Sequence, residues 1–272
     1  FASLIGFTSL EVSTNGTLMT EKDLAFLKAH SASLAISFYS YRDKVHDLVT
    51  TKKGSWEKTL ALINLALGMD MPFRVAVVKM KHNETDTSET IKFLKSLGVK
   101  NAKISNIGPV GRGYSTEIVS PEILSQQIVT KASFPKVSFN VFWRNMIGHN
   151  CFLEQICVGA GGDIYPCLAE RKISYGNIRS ISLANILFSE RAMKFRNLSK
   201  DSINVCRDCE YRYCCFDCRA RVEDFLEDNI HPKPWWCYYD PYTGKWASKE
   251  TNMKGGENYE RERAGACPGN KR

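Results

Sequence analysis

Thirteen residues, Cys206 to Cys218, read CRDCEYRYCCFDC and hold five of the ten cysteines in this 272-residue chain. Thiols packed that closely restrict the local fold to tight turns around a metal centre or to a cluster of buried sulfurs. Nine of the ten lie between Cys151 and Cys237, too crowded for a spread disulfide framework, so metal ligation in a reducing compartment is the better reading. A C-x2-C turn such as Cys206–Cys209 brings two sulfurs together because the chain reverses within one loop. A zinc ribbon would want a second such pair about 15 to 20 residues away, and a zinc finger would want histidines at matching spacing. His231 is the sole histidine in the last third of the chain. A structural zinc, or a set of reduced buried thiols, stays as the bland alternative.

Bacterial ferredoxins share one run of cysteines between two clusters. By that precedent Cys206, Cys209 and Cys215 hold one cluster, closed by Cys237, while Cys218 turns to a second with Cys151 and Cys167. Cys157 is either the fourth ligand of that second cluster or a buried structural thiol. Cys214, next to Cys215, is expected to point away, and Cys267 to be a free thiol. QICVGAGGDIYPC is expected to form a hairpin turning at Gly161 and Gly162.

Upstream, short apolar runs alternate with helical patterns, the rhythm of parallel strands joined by helices. FTSLEVSTNG is a strand, and Thr20 with Asp23 signals the capped start of a helix through DLAFLKAH. ASLAISFYS is the next strand; SWEKTLALINLAL is a helix with Trp56, Leu60, Ile63 and Leu67 on one face. PFRVAVVKM looks like a strand buried on both faces, Asp86 and Glu89 open the helix TIKFLKSL, and NAKISNIG is a fourth strand. A further helix is expected across 121–131 and a strand in KVSFNVFW. An open parallel sheet of four strands, in a chain whose first residue is Phe1, leads us to expect that an upstream part is missing.

The spacing of Cys151, Gly162, Cys167, Cys206, Cys209, Cys215, Cys218 and Cys237 resembles the SPASM domain, the C-terminal module of radical S-adenosylmethionine (SAM) enzymes that modify peptides and proteins. KPWWCYYDPYTGKW is similar to the tail of peptide maturases, including those that work beside an ATP-grasp partner. STNGTL, AISFYSYRDKVHDLVTTKKGSWEKTL, VAVVKMKHN and AKISNIGPVGRG resemble the third to sixth strand segments of the radical SAM barrel. The resemblance implies an α/β fold: the C-terminal part of a partial (β/α)6 barrel over 1–132, a bridging strand and linker over 133–149, a SPASM domain with a hairpin over 150–246, and a disordered tail over 247–272.

It further implies two auxiliary [4Fe-4S] clusters held by the cysteines above, and S-adenosylmethionine with a third [4Fe-4S] cluster in the full-length protein. Asn15, Ser37 and Asn83 carry over as cofactor-facing positions, each with a plainer reading as a turn or loop former. His46 is expected to fix a loop by hydrogen bonds, and Arg112 to meet either a carboxylate or solvent. The activity implied is hydrogen abstraction from a precursor peptide or protein by a 5'-deoxyadenosyl radical, with ferredoxin or flavodoxin as electron donor. The defining C-x3-C-x2-C motif is not in these residues, so the fragment alone is expected to be inactive. The competing reading is a non-catalytic Fe-S electron-transfer or peptide-binding partner. A formal charge of +8, dispersed along the chain, fits a solvated surface or an acidic leader peptide better than nucleic acid. No uninterrupted apolar stretch reaches about 18 residues, so no membrane span is expected, and the reducing compartment that suits the thiols is the cytoplasm.

Overall fold

In the computed structural model the described residues are 2–115, 117–129, 137–222 and 225–247. They form two compact units, divided between Gln126 and Gln127. Residues 137–149 of the bridging segment expected over 133–149 fall within the second unit, while 133–136, the expected tail except for Ala247, and Cys267 lie outside the described residues.

The first unit begins with strand β1 (Leu10–Thr14) and helix α1 (Glu21–Ala29). The capping box is formed at α1: the Asp23 backbone N–H donates to the Thr20 hydroxyl, and the Thr20 N–H donates to the Asp23 carboxylate at 2.8 Å. Strand β2 (Ala32–Ser37) follows, then α2 (Asp43–Thr50) and α3 (Ser55–Gly68). Helix α2 occupies what the sequence offers as a loop. Its Asp47 carboxylate caps the start of α3, accepting from the Gly54 N–H, the Ser55 hydroxyl and the Trp56 N–H at 2.6–2.9 Å. Strand β3 (Phe73–Lys79), helix α4 (Thr87–Ser96), strand β4 (Ala102–Asn106) and the short α5 (Pro121–Ser125) complete the unit. The helix expected over 121–131 stops at Ser125, and residues 130 and 131 lie outside the described ones.

All four strands are parallel in the order β1-β2-β3-β4, with Val12 beside Leu34, Ile36 beside Val75 and Val77 beside Ile104. Leu34, Ile36, Val75 and Val77 pack with Leu24, Leu62, Ile63 and Leu94 in one core. Two expectations need correcting. The buried stripe of α3 is Ser55, Thr59, Leu62, Ile63 and Ala66, with Trp56, Leu60 and Leu67 only half-buried at its margins. Strand β3 is covered on one face: Val75 and Val77 are buried, while Arg74 is exposed and Ala76 and Val78 are half-buried. Arg74 forms a two-pronged pair with Glu11 on that open face.

The second unit opens with α6 (Phe139–Ile147), which replaces the strand expected in KVSFNVFW. Ser138 caps it by accepting from the Val141 N–H, and Phe139, Phe142, Trp143 and Ile147 recur at helical rather than alternating spacing. Strands β5 (Cys157–Val158), β6 (Asp163–Tyr165) and β7 (Gly176–Asn177) make an antiparallel sheet. Helices α7 (Leu183–Leu187) and α8 (Glu190–Arg196) and the pair β8 (Tyr239–Asp240) and β9 (Lys245–Trp246) follow. Phe152, Ile164, Phe195 and Phe225 centre the core, each 1% exposed or less.

The expected hairpin is present, and Gly162 turns it with φ of +92°. A Cβ there would stand 2.9 Å from Asn177 Oδ1 and 3.2 Å from Arg179 Cγ. Gly162→Ala is therefore expected to destabilise the protein by about 1–2 kcal/mol, from backbone strain alone, seen as a lower thermal midpoint.

Candidate metal centre

The cysteine run enters on a strained residue: Val205 has φ of +66°, costly for a β-branched side chain, and sits directly before the 3-10 turn Cys206–Asp208. The Cys209 N–H closes that turn onto the Cys206 carbonyl at 3.1 Å. Cys218 heads a second 3-10 turn, Arg219–Arg221. Cys237 is placed by a bridge to Val129, whose N–H donates to the Trp236 carbonyl at 2.8 Å.

The thiols gather in two sets. Burial pushes the Cys206 thiol up to about 11, with Cys237 and Cys215 adding to the effect and Lys200 opposing it. Burial likewise raises Cys209, which has Cys215 and Cys237 as neighbours, and Cys215, which has Cys237. In the other set, burial pushes Cys151 up to about 11, reinforced by Cys218 and Cys167. Cys167 is raised by burial, with Cys157 among its neighbours, and Cys218 by burial, with Cys167 among its own. Sulfurs that cannot all ionise unaided, grouped and half-buried, are what a cationic metal centre would draw together. Among the described residues no three His, Cys, Asp or Glu side chains close to the separation that one metal ion requires. A four-iron cube binds its thiolates at four separate corners and so spaces them more widely than a single ion does.

Residues 151–210 match the SPASM family, an iron-sulfur cluster-binding domain. The match lies in the second unit and spans Cys151, Cys157, Cys167, Cys206 and Cys209. Its fold is that of solved structures of anSMEcpe: one with bound AdoMet aligns at a TM-score of 0.60 and 18% identity, over 93% of this chain and 76% of that one. A second, with AdoMet and the Kp18Cys peptide, aligns at 0.58 over the same shares. Among curated proteins, the AdoMet-dependent heme synthase of Methanosarcina barkeri is 26% identical over 263 residues, 85% of this chain and 74% of the relative. The antilisterial bacteriocin subtilosin biosynthesis protein AlbA of Bacillus subtilis is 26% identical over 196 residues, 67% of this chain and 43% of the relative. The radical SAM/SPASM resemblance of the sequence thus holds for the parallel α/β fold and for the cysteine-rich region.

One spacing in the SPASM run departs from the family pattern C-x2-C-x5-C-x3-C. Only Phe216 and Asp217 separate Cys215 from Cys218, whereas three residues lie between Cys214 and Cys218. Cys215 has Cys237 and Cys206 as neighbours and accepts a hydrogen bond from the buried Lys200 ammonium at 3.3 Å. A cavity of about 470 Å³ is lined by Cys206, Cys209, Cys215 and Cys237, and also by Cys214. Cys157 sits on β5 opposite Tyr165, half-buried and within electrostatic reach of Cys167.

Sequence reasoning missed the charged core beneath the SPASM thiols. Arg219 and Asp217, 0% and 1% exposed, are paired at 2.9 Å, and Arg219 also donates to the Pro232 carbonyl at 2.8 Å. Lys200 is 7% exposed, and His149, 3% exposed, accepts at Nδ1 from the Cys151 and Phe152 N–H groups. Burial depresses Lys200, but Asp217, Cys215 and Cys206 outweigh it and leave the ammonium favoured. The motif D-C-R was visible around Cys218; SKDS around Lys200 looks like any exposed loop.

The candidate cofactor positions stand at or just past the C-terminal ends of the parallel strands. Asn15 is exposed, its side chain accepting from the Thr17 N–H and hydroxyl. Ser37 ends β2, half-buried. Asn83 is fully buried: its amide donates to the Tyr39 and Val78 carbonyls and accepts from the Met80 N–H, so its side chain ties loops together. The Arg112 side chain lies outside what is described.

His46 fixes a loop as expected, its Nδ1 accepting from the Tyr39 N–H at 3.3 Å between the Phe38 and Tyr39 rings. Burial lowers its pKa from 6.5 to about 4, so the unfolded chain takes up the proton first as pH falls. Stability from this group is full above about pH 6.5 and drains away down to about pH 4. The loss should reach about 3 kcal/mol. Urea titrations across that window should show it, and His46→Phe should flatten the slope.

Proposed function

We propose that the chain acts within a radical SAM/SPASM maturase that modifies a ribosomally made peptide or protein, and that its SPASM domain holds two auxiliary [4Fe-4S] clusters. The observation that carries this reading is the division of the thiols into two sets on either side of one short run. Cys206, Cys209, Cys215 and Cys237 would hold one cluster. Cys151, Cys167 and Cys218 would hold the other, with Cys157 as its fourth ligand. The residues fit such groups: the thiols are partly shielded from water, and Lys200 and Arg221 offer positive charge beside Cys215 and Cys218. When bound, the clusters supply one-electron storage. Asn15 and Ser37 are the remaining candidates to face S-adenosylmethionine at the rim of the parallel sheet, where such folds carry their chemistry.

A peptide substrate is supported by the relatives: AlbA is named for bacteriocin biosynthesis, and anSMEcpe is described with bound peptide. The test is anaerobic reconstitution of the full-length protein with S-adenosylmethionine, a reductant and the precursor peptides encoded beside it. Formation of 5'-deoxyadenosine together with a two-hydrogen mass loss in a peptide is the expected result; neither product would overturn the proposal. A second reading is a non-catalytic Fe-S or peptide-binding partner. It predicts iron without S-adenosylmethionine cleavage.

A further inference from the structure

Lysine is among the residues least often buried, and an isolated ammonium in a protein interior is costly. Lys200 is 7% exposed, on the 3-10 turn Lys200–Ser202, and its Nζ donates to Cys215 Sγ at 3.3 Å. The turn is held in place. Ser199 caps it by accepting from the Asp201 N–H, and Asp201 accepts from Arg212 Nε at 2.9 Å and from the Tyr213 hydroxyl at 2.8 Å. Both partners of Asp201 belong to the cysteine run itself, so the turn and the run are pinned to each other and the ammonium faces the sulfur. Asp217, 1% exposed, supplies the nearby counter-charge, but it is already in a two-pronged pair with Arg219.

We infer that Lys200 is a positioning residue that sets the reduction potential of the cluster held by Cys206, Cys209, Cys215 and Cys237, through a charge-assisted hydrogen bond to the Cys215 thiolate. This rests on the cluster reading proposed above. Reduction adds one electron to a cluster and makes it one unit more negative. A fixed cation against a ligand sulfur, shielded from water, stabilises that more negative state and raises the potential. Hydrogen bonds to ligand sulfurs and local net charge are the protein's established means of tuning such centres.

The test is an anaerobic redox titration of the reconstituted full-length protein, with dithionite and mediators, followed by electron paramagnetic resonance. Cys206→Ala identifies which signal belongs to this cluster. Lys200→Gln should move that signal's midpoint to lower potential and leave the other auxiliary signal in place. Lys200→Arg, which keeps the charge and a donor, should stay near wild type. Asp217→Asn, which removes the opposing charge, should move the midpoint up. An unchanged or raised midpoint in Lys200→Gln would overturn the inference. So would loss of the cluster's iron in Lys200→Gln with retention in Lys200→Arg, which would make Lys200 a requirement for cluster binding instead. Wild-type protein that takes up no iron would sink the cluster reading itself, a separate failure.

Discussion

Cys206→Ala is expected to release one cluster, about four irons of the roughly eight that two auxiliary cubes would contain, and to leave the second cluster bound. Cys206 is the most buried of its set and has Cys215 and Cys237 as neighbours, so its thiol faces the same cavity as theirs. Cys218→Ala should remove the other half of the iron, because that thiol is coupled to Cys167 and Cys151. Cys214→Ala should retain both. Iron and sulfide assays with absorbance near 400 nm would read all three. Equal iron in Cys206→Ala and wild type, or loss of half in Cys214→Ala, would show that the thiols are grouped wrongly here.

The second large effect is on stability. Arg219→Met should cost about 3–5 kcal/mol, the penalty for leaving one member of a buried ion pair without its partner. Asp217 would keep its charge in a site where it is 1% exposed, and the Pro232 carbonyl would lose its donor. A double change, Asp217→Leu with Arg219→Met, should recover much of the loss, since apolar replacements of both members of such a pair are often neutral. Thermal unfolding of the cluster-loaded protein is the readout, and an unshifted midpoint in the single variant would refute the assignment.

Much of the first unit was legible because its signals are local. The Thr20–Asp23 capping box needs only a four-residue spacing, and the four strands announce themselves as apolar runs between helical patterns. What failed depended on neighbours further away. VAVV looks doubly buried in composition, yet only Val75 and Val77 meet helices. KVSFNVFW is rich in β-formers, and the Ser138 cap together with the spacing of Phe139, Phe142, Trp143 and Ile147 outweighs that preference. In the site, the crowding of thiols between Cys151 and Cys237 was visible because cysteines have few other uses at such density. Between Cys214 and Cys215 the sequence offers only the alternation of adjacent side chains, and the Lys200 ammonium beside Cys215 adds to it. Lys200 was invisible for a simpler reason: nothing within a few residues of a lysine says that its side chain will be covered.

The thirteen residues from Cys206 to Cys218 serve both thiol sets, with Cys206, Cys209 and Cys215 turned to one and Cys218 to the other. In a segment this short, ordering one end restricts the conformations open to the other. Filling either centre freezes backbone that its neighbour would otherwise have to immobilise, so the entropy cost of assembly falls once, for both. Under the cluster assignment proposed here, the two centres would fill as a cooperative pair.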